Sequence, residues 1–220
     1  MITKTATGVL ILVLFMALPT GPAGATPIDI GTATYNSVTY NLIYDDNPSG
    51  PVVWLDYSNP ANTWSSQGSW AASLNTPGVL TYNIDPQYIM NWSSGWQLPT
   101  TINDSASALF PPSPGSSQMA YLYYTQLGNP AGGPFNQGLF SNLQSAWYWS
   151  GTEQNTNVNA WVFNTSNGNQ STASDNNDTS FLALADRPGQ LELVPEPSTM
   201  LLLGVGLVGL AGVRYRRRAR

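Results

Sequence analysis

The two most apolar stretches of the chain lie at its ends, so whatever folds in water must be built from the residues between them. Residues 9–18 (VLILVLFMAL) form an unbroken apolar run, with Lys4 before it and a Pro/Gly/Ala stretch ending in Ala23-Gly24-Ala25 after it. A basic start, a short apolar core and small residues at the two positions a signal peptidase reads make up a signal peptide, with cleavage expected after Ala25. That run is too short for a permanent span. Residues 200–213 (MLLLGVGLVGLAGV) carry no charge, and Arg214, Arg216, Arg217, Arg218 and Arg220 follow directly. As a helix this run covers about 21 Å of a hydrocarbon core of about 30 Å. Ser198, Thr199 and Tyr215 lengthen it enough for a short single transmembrane helix, with the arginines on the cytoplasmic side. The expected organisation is a signal peptide (1–25), one extracellular domain (26–189), a linker (190–199), a transmembrane helix (200–213) and a basic tail (214–220).

The middle of the chain is short of charge and lopsided. Between Thr26 and Gln190 the only basic residue is Arg187, against ten acids, a net of −9. Such a domain repels nucleic acid and anionic glycans, so nucleic-acid binding is excluded as a function class. The chain has no cysteine, which rules out disulfides, thiol nucleophiles and thiolate metal sites. It has no histidine either, which removes the usual general base, serine–histidine triads and most zinc sites. What remains is rich in amides, hydroxyls and aromatic rings, a composition that suits a loop-rich extracellular domain.

Local patterns place elements along this domain. Residues 38–44 (VTYNLIY) and 52–55 read as strands around a turn-forming DDNPSGP segment. Residues 64–74 (WSSQGSWAASL) have near-helical apolar spacing despite Gly68. Thr100 or Thr101 is expected to cap a helix over 102–110, with Asp104 in its first turn and Pro111, Pro112 and Pro114 ending it. Residues 118–127 fit a helix or a strand equally. Residues 146–151, 160–165 and 180–185 read as strands of an antiparallel sheet, with Asn167-Gly168 as a two-residue hairpin turn.

Two resemblances follow from these residues. Val194-Pro195-Glu196-Pro197-Ser198, an apolar helix and an arginine cluster stand in that order at the C-terminal end, an arrangement that resembles the PEP-CTERM protein-sorting signal of Gram-negative bacteria. The resemblance implies recognition by an exosortase, cleavage near Pro-Glu-Pro and association with the cell surface or an exopolysaccharide biofilm matrix. The two prolines hold the segment extended and outside the helix, as presentation to a membrane protease requires.

The second resemblance rests on Val53-Trp54-Leu55-Asp56, Gly95-Trp96-Gln97-Leu98-Pro99-Thr100, Tyr148-Trp149-Ser150-Gly151-Thr152-Glu153, Ala160-Trp161-Val162-Phe163 and Asn167-Gly168, in order. The series resembles the Lcl C-terminal domain family, whose pattern runs roughly TWLD, GWRLPT, YWSSTE, AWYV, NG. It implies an α+β, irregular C-type-lectin-like domain with about two helices and a small antiparallel sheet. Gln97 stands where the pattern has Arg, and Gly151 where it has Ser.

Candidate sites are few. Trp54, Trp96, Trp149 and Trp161 are expected in the core, whereas Trp64, Trp70 and Trp92 lie outside the strongest motifs and are candidates for stacking on sugar rings. Asp175, Asn177 and Asp178 concentrate oxygen ligands of the kind calcium prefers, although their spacing fits no defined calcium loop. Asp56 and Glu153 are the one carboxylate pair inside the motifs that glycoside hydrolysis could use; a structural role for Glu153, including a bridge to Arg187, is the plainer reading. The expectation is a non-catalytic surface or matrix protein with no obligatory cofactor. Its partners would be signal peptidase, an exosortase and extracellular polysaccharide, with membrane contact through the C-terminal helix. The alternatives are a calcium-dependent carbohydrate-binding module and, less favoured, an envelope glycoside hydrolase.

Overall fold

A computed structural model describes residues 26–48, 50–154, 158–175, 177–194, 203–209 and 214. The signal-peptide positions Ala23 and Ala25, the motif residues Pro195, Glu196, Pro197 and Ser198, and Arg216, Arg217, Arg218 and Arg220 lie outside them.

The chain is mostly β. Strands β1 (Ile28–Tyr35), β2 (Val38–Asp45) and β3 (Val52–Asn62) lead into helix α1 (Trp64–Ser73), then β4 (Thr81–Ile84) and β5 (Tyr88–Trp92). A helical segment α2 opens over Gln118–Ala120 and continues with π-helical spacing over Tyr121–Gln126. β6 (Trp147–Glu153), β7 (Asn159–Asn164), β8 (Asn169–Ser174) and the long β9 (Phe181–Leu193) complete the chain. The strands form one sheet in the order β4-β1-β2-β3-β9-β6-β7-β8, with β5 pairing the second half of β9. Strand β9 is the spine. It is antiparallel to β3 from Val52↔Pro188 to Asn62↔Phe181, antiparallel to β5, and parallel to β6 at Tyr148↔Leu182.

Successive side chains of a strand point to opposite faces, and here both faces are covered. Leu42, Val53, Leu55, Trp96, Leu98, Trp149, Val162 and Ala185 pack with Ala71 and Leu74 of the α1 region on one face. Ile43, Val52, Trp54, Tyr148, Phe163 and Leu184 pack with Met119, Leu122 and Tyr123 of α2 on the other. This explains why the run 52–55 is apolar at every position rather than alternating. The four motif tryptophans are core residues, and each indole N–H has a partner. Trp54 donates to Asp45 Oδ2, Trp96 to Tyr82 Oη, Trp149 to the Asn62 carbonyl and Trp161 to Asn103 Oδ1.

Two close approaches require glycine. Gly31 has φ +128° at a β-bulge, and a Cβ there would lie 2.3 Å from the Asn83 carbonyl oxygen of β4. A Cβ on Gly151 would lie 2.9 Å from the Leu98 carbonyl oxygen, because the 95–101 segment crosses over β6, with the Gly151 N–H donating to the Pro99 carbonyl.

Several expectations need correction. The sheet is large, with nine strands among the described residues, rather than small. The expected helix over 102–110 is only a 3-10 turn, Ser105–Ala108. Asp104, not a threonine, caps it by accepting the Ser107 N–H. The Ile102 N–H is instead donated across to the Ser116 carbonyl, and Thr101 bridges Ser117, so the chain is held extended where the helix would begin. The β7–β8 loop has four residues rather than two, because Asn164 pairs with Asn169. Asn164 and Asn167 each accept a backbone N–H two residues on, which closes the wider turn around Gly168 (φ +80°). Of the expected transmembrane helix, Leu203–Gly209 is described and helical. No helix among the described residues is long and apolar enough to cross a membrane.

Candidate functional site

Strands β2 and β3 pair only from Leu42↔Leu55 to Asp45↔Val52. Beyond Leu55 the two strands part: β3 shifts register twice and stays with β9, while β2 stays with β1. The fork between them opens into a cleft of about 580 Å³, with Tyr40 of β2 and Tyr57 of β3 on its walls and Phe135 and the 141–145 loop on its rim. Tyr40 and Tyr57 meet edge to face at 5.0 Å between ring centroids. Tyr57 also touches Tyr35 at 5.4 Å and Trp70 at 5.9 Å, so four rings form a half-buried array. Gln137, Ser141, Asn142, Gln144 and Ser145 face solvent around them. No charged side chain lines the cleft.

The rim loop is held from behind. Asp56, 1 % exposed, accepts the Ser141 N–H at Oδ2 (2.8 Å) and the Asn142 N–H at Oδ1 (2.9 Å), with the Asn142 Nδ2 at 3.3 Å from Oδ2. Ser58 Oγ donates to the Asn142 carbonyl (2.6 Å) and shares a hydrogen bond with Tyr148 Oη, which accepts the Gln144 N–H. Thr165 Oγ1 donates to the Gln144 carbonyl. Burial raises the Asp56 carboxyl above its ordinary value, and the two backbone N–H groups of Ser141 and Asn142 pull it back. Both oxygens of Asp56 are therefore committed to shaping the loop.

A second pair of buried aspartates lies on the same face of the sheet. Asp45 accepts from Trp54 Nε1, the Asn47 N–H and Gln126 Nε2. Burial nevertheless lifts its carboxyl to about 6 against those bonds. Asp186, opposite Trp54 on β9, is fully buried, and neither of its carboxyl oxygens makes a hydrogen bond. Burial pushes it up to about 8; the neighbouring Gln97 opposes this only in part, and the charge on Asp45 adds to it. The Asp186 carboxyl thus holds its proton at neutral pH. Gln97 and Asp186 exchange both backbone hydrogen bonds, which sets the Gln97 side chain on this face.

The residues singled out from sequence are dispersed. Trp70 belongs to the ring array beside the cleft. Trp64 is half-buried and donates its indole N–H to the Ser150 carbonyl, over a separate depression lined by Trp96 and Leu98. Trp92 lies beneath Arg187, whose guanidinium carbon is 4.3 Å from the ring centroid. Arg187 donates to the Ser94 carbonyl and Tyr82 Oη, so the expected bridge to Glu153 is replaced by these contacts. Glu153 is exposed at the end of β6, and Asp56 is occupied by the rim loop. Asp175 is buried, with Oδ1 unbonded; Asp178 accepts the Ser180 N–H, and Asn177 is exposed. No group of three or more acidic side chains among the described residues is placed to hold a metal ion. Sequence reasoning missed Tyr40, Tyr57 and the 141–145 loop. The β-branched and aromatic pattern of 38–44 marked Tyr40 as a strand residue, and nothing in it marked the fork.

Comparison with known proteins gives a match at the C-terminal end of the chain. A family model described as the PEP-CTERM protein-sorting motif matches residues 193–218. The motif implies an exported protein that is processed by an exosortase and associated with the cell surface. No curated protein and no solved structure matches the chain.

Proposed function

We propose that this is a non-catalytic protein of the bacterial surface or extracellular matrix: exported, held briefly at the inner membrane of a Gram-negative cell by residues 200–213, cut near Pro195–Pro197, and retained in exopolysaccharide. The observation that carries the reading is the sorting motif, which directly follows the last strand of a fully built β domain. The PEP segment begins right after Leu193, where β9 ends, so cleavage there leaves the sheet intact. The non-catalytic reading is supported by Asp56, whose oxygens are taken up by backbone N–H groups rather than offered to a substrate. The Lcl-like reading of residues 26–189 is supported by the way its motifs converge: Gln97 on Asp186, Gly151 on Pro99 and Tyr148 on Phe163.

Fractionation of a host that carries an exosortase tests this. The protein is expected in the surface or matrix fraction, and replacing Pro195, Glu196 and Pro197 together by alanine should leave it in the inner membrane. An unchanged distribution of the triple variant contradicts the reading.

A further inference from the structure

We propose that the fork between β2 and β3 binds a segment of an uncharged glycan. The proposal rests on the surface and matrix reading only for where such a ligand would be met. The chemistry of the cleft selects the class. A pyranose ring presents an apolar C–H face and a rim of hydroxyls, and the fork offers tyrosine rings to the first and side-chain amides and hydroxyls to the second. The Gln137 and Gln144 side chains and the Ser141 and Ser145 hydroxyls make no hydrogen bonds to the protein among the described residues, so their donors and acceptors are free for a ligand. A volume of about 580 Å³ is within the range of ordinary ligand clefts.

Other ligand classes fit less well. No cation lines the fork and the domain is net acidic, which disfavours uronate-rich or sulfated chains. Asp56 lies behind the loop with both oxygens engaged, and no carboxylate among the described residues lines the fork, so a cationic ligand has the rings but no counter-charge there. The clamp by Asp56, Ser58 and Tyr148 fixes the rim before a ligand arrives, which lowers the ordering cost that weakens most glycan binding. The candidates Trp64 and Trp92 lack such a setting, since the first is tethered to Ser150 and the second is covered by Arg187.

The test is affinity electrophoresis of the protein, purified from whichever cell fraction carries it, in native gels containing dextran, galactomannan or hydroxyethylcellulose, with alginate as the polyanionic comparison. Retardation by at least one neutral glycan and none by alginate is expected. Gln144→Ala, at an exposed position, and Tyr57→Ser should each weaken it about fivefold to tenfold, with circular dichroism confirming the fold. Retardation by none of the neutral glycans, stronger retardation by alginate, or retardation unchanged in both variants overturns the proposal. Because binding is read in vitro, a failed sorting reading leaves this result untouched, and a correctly sorted protein that binds nothing refutes the cleft alone.

Discussion

Two buried aspartates on the same face of one sheet have opposite fates. Asp56 and Asp186 are both essentially inaccessible and both lie on strands that pair with each other, β3 and β9. Asp56 accepts two backbone N–H groups and orders the loop that rims the cleft. Asp186 has only the Gln97 side chain beside it, in no well-formed hydrogen bond, and keeps its proton. The difference lies in what neighbours each. The loop beside Asp56 turns the Ser141 and Asn142 N–H groups toward its carboxylate, whereas the Gln97 N–H beside Asp186 is already donated to the Asp186 backbone carbonyl. Burial raises both carboxyls, and the hydrogen-bond donors each one finds oppose that rise.

The largest effect should come from Asp56→Ala, which takes the acceptor from two part-buried N–H groups, empties a buried site and loosens the rim. A loss of about 3 kcal/mol in urea unfolding is expected, with glycan retardation lost as well; Asp56→Asn, which keeps one acceptor, should lose less. A stability unchanged in Asp56→Ala breaks the comparison on its first side.

Asp186→Asn should act in the opposite direction. The unfolded carboxyl titrates near 4 and the folded one at about 8, so below pH 4 both states are protonated and the acid carries no penalty. Between those values the unfolded chain releases a proton that the folded chain retains, so stability falls as pH rises and the loss is complete above pH 8. At pH 9 the asparagine variant should be more stable than the parent by about 2 kcal/mol, and near pH 4 the two should be close. Denaturant titrations at both pH values check this, and an equal difference at the two would contradict it.

Asp45 is the intermediate case, with three donors and a carboxyl at about 6. Gln126→Met removes one of those donors and the bond to Asp46, and should cost about 1 kcal/mol at pH 8. The cost should shrink at pH 5, where Asp45 is protonated and depends less on its donors.

The aromatic framework was legible in the sequence because it is written in local motifs: Trp54, Trp96, Trp149 and Trp161 each sit in a short apolar run, and each is core. Helix α1 was legible from its spacing, although its cap, Thr63, was not marked. Strands β1, β4 and β5 were not. β1 carries a bulge glycine, and its turn to β2 uses Asn36 and Ser37, both at positive φ, a conformation with no glycine to announce it. β4 and β5 are short, at four and five residues, and are held by pairing partners distant in sequence. The cleft was illegible for a similar reason. Tyr40, Tyr57 and Gln144 are brought together by the parting of two strands, where β3 follows β9, a partner distant in sequence. The strand read over 180–185 stops short of Asp186, yet β9 runs on through Pro188 to Leu193 and includes it, fully buried.

The central claim, that the C-terminal segment is an address removed after use, is tested most directly by intact-mass spectrometry of the protein recovered from the surface fraction of an exosortase-positive host. The predicted species begins at Thr26 and ends close to Pro195–Pro197, without residues 203–220. A surface species that still ends at Arg220 would contradict the account.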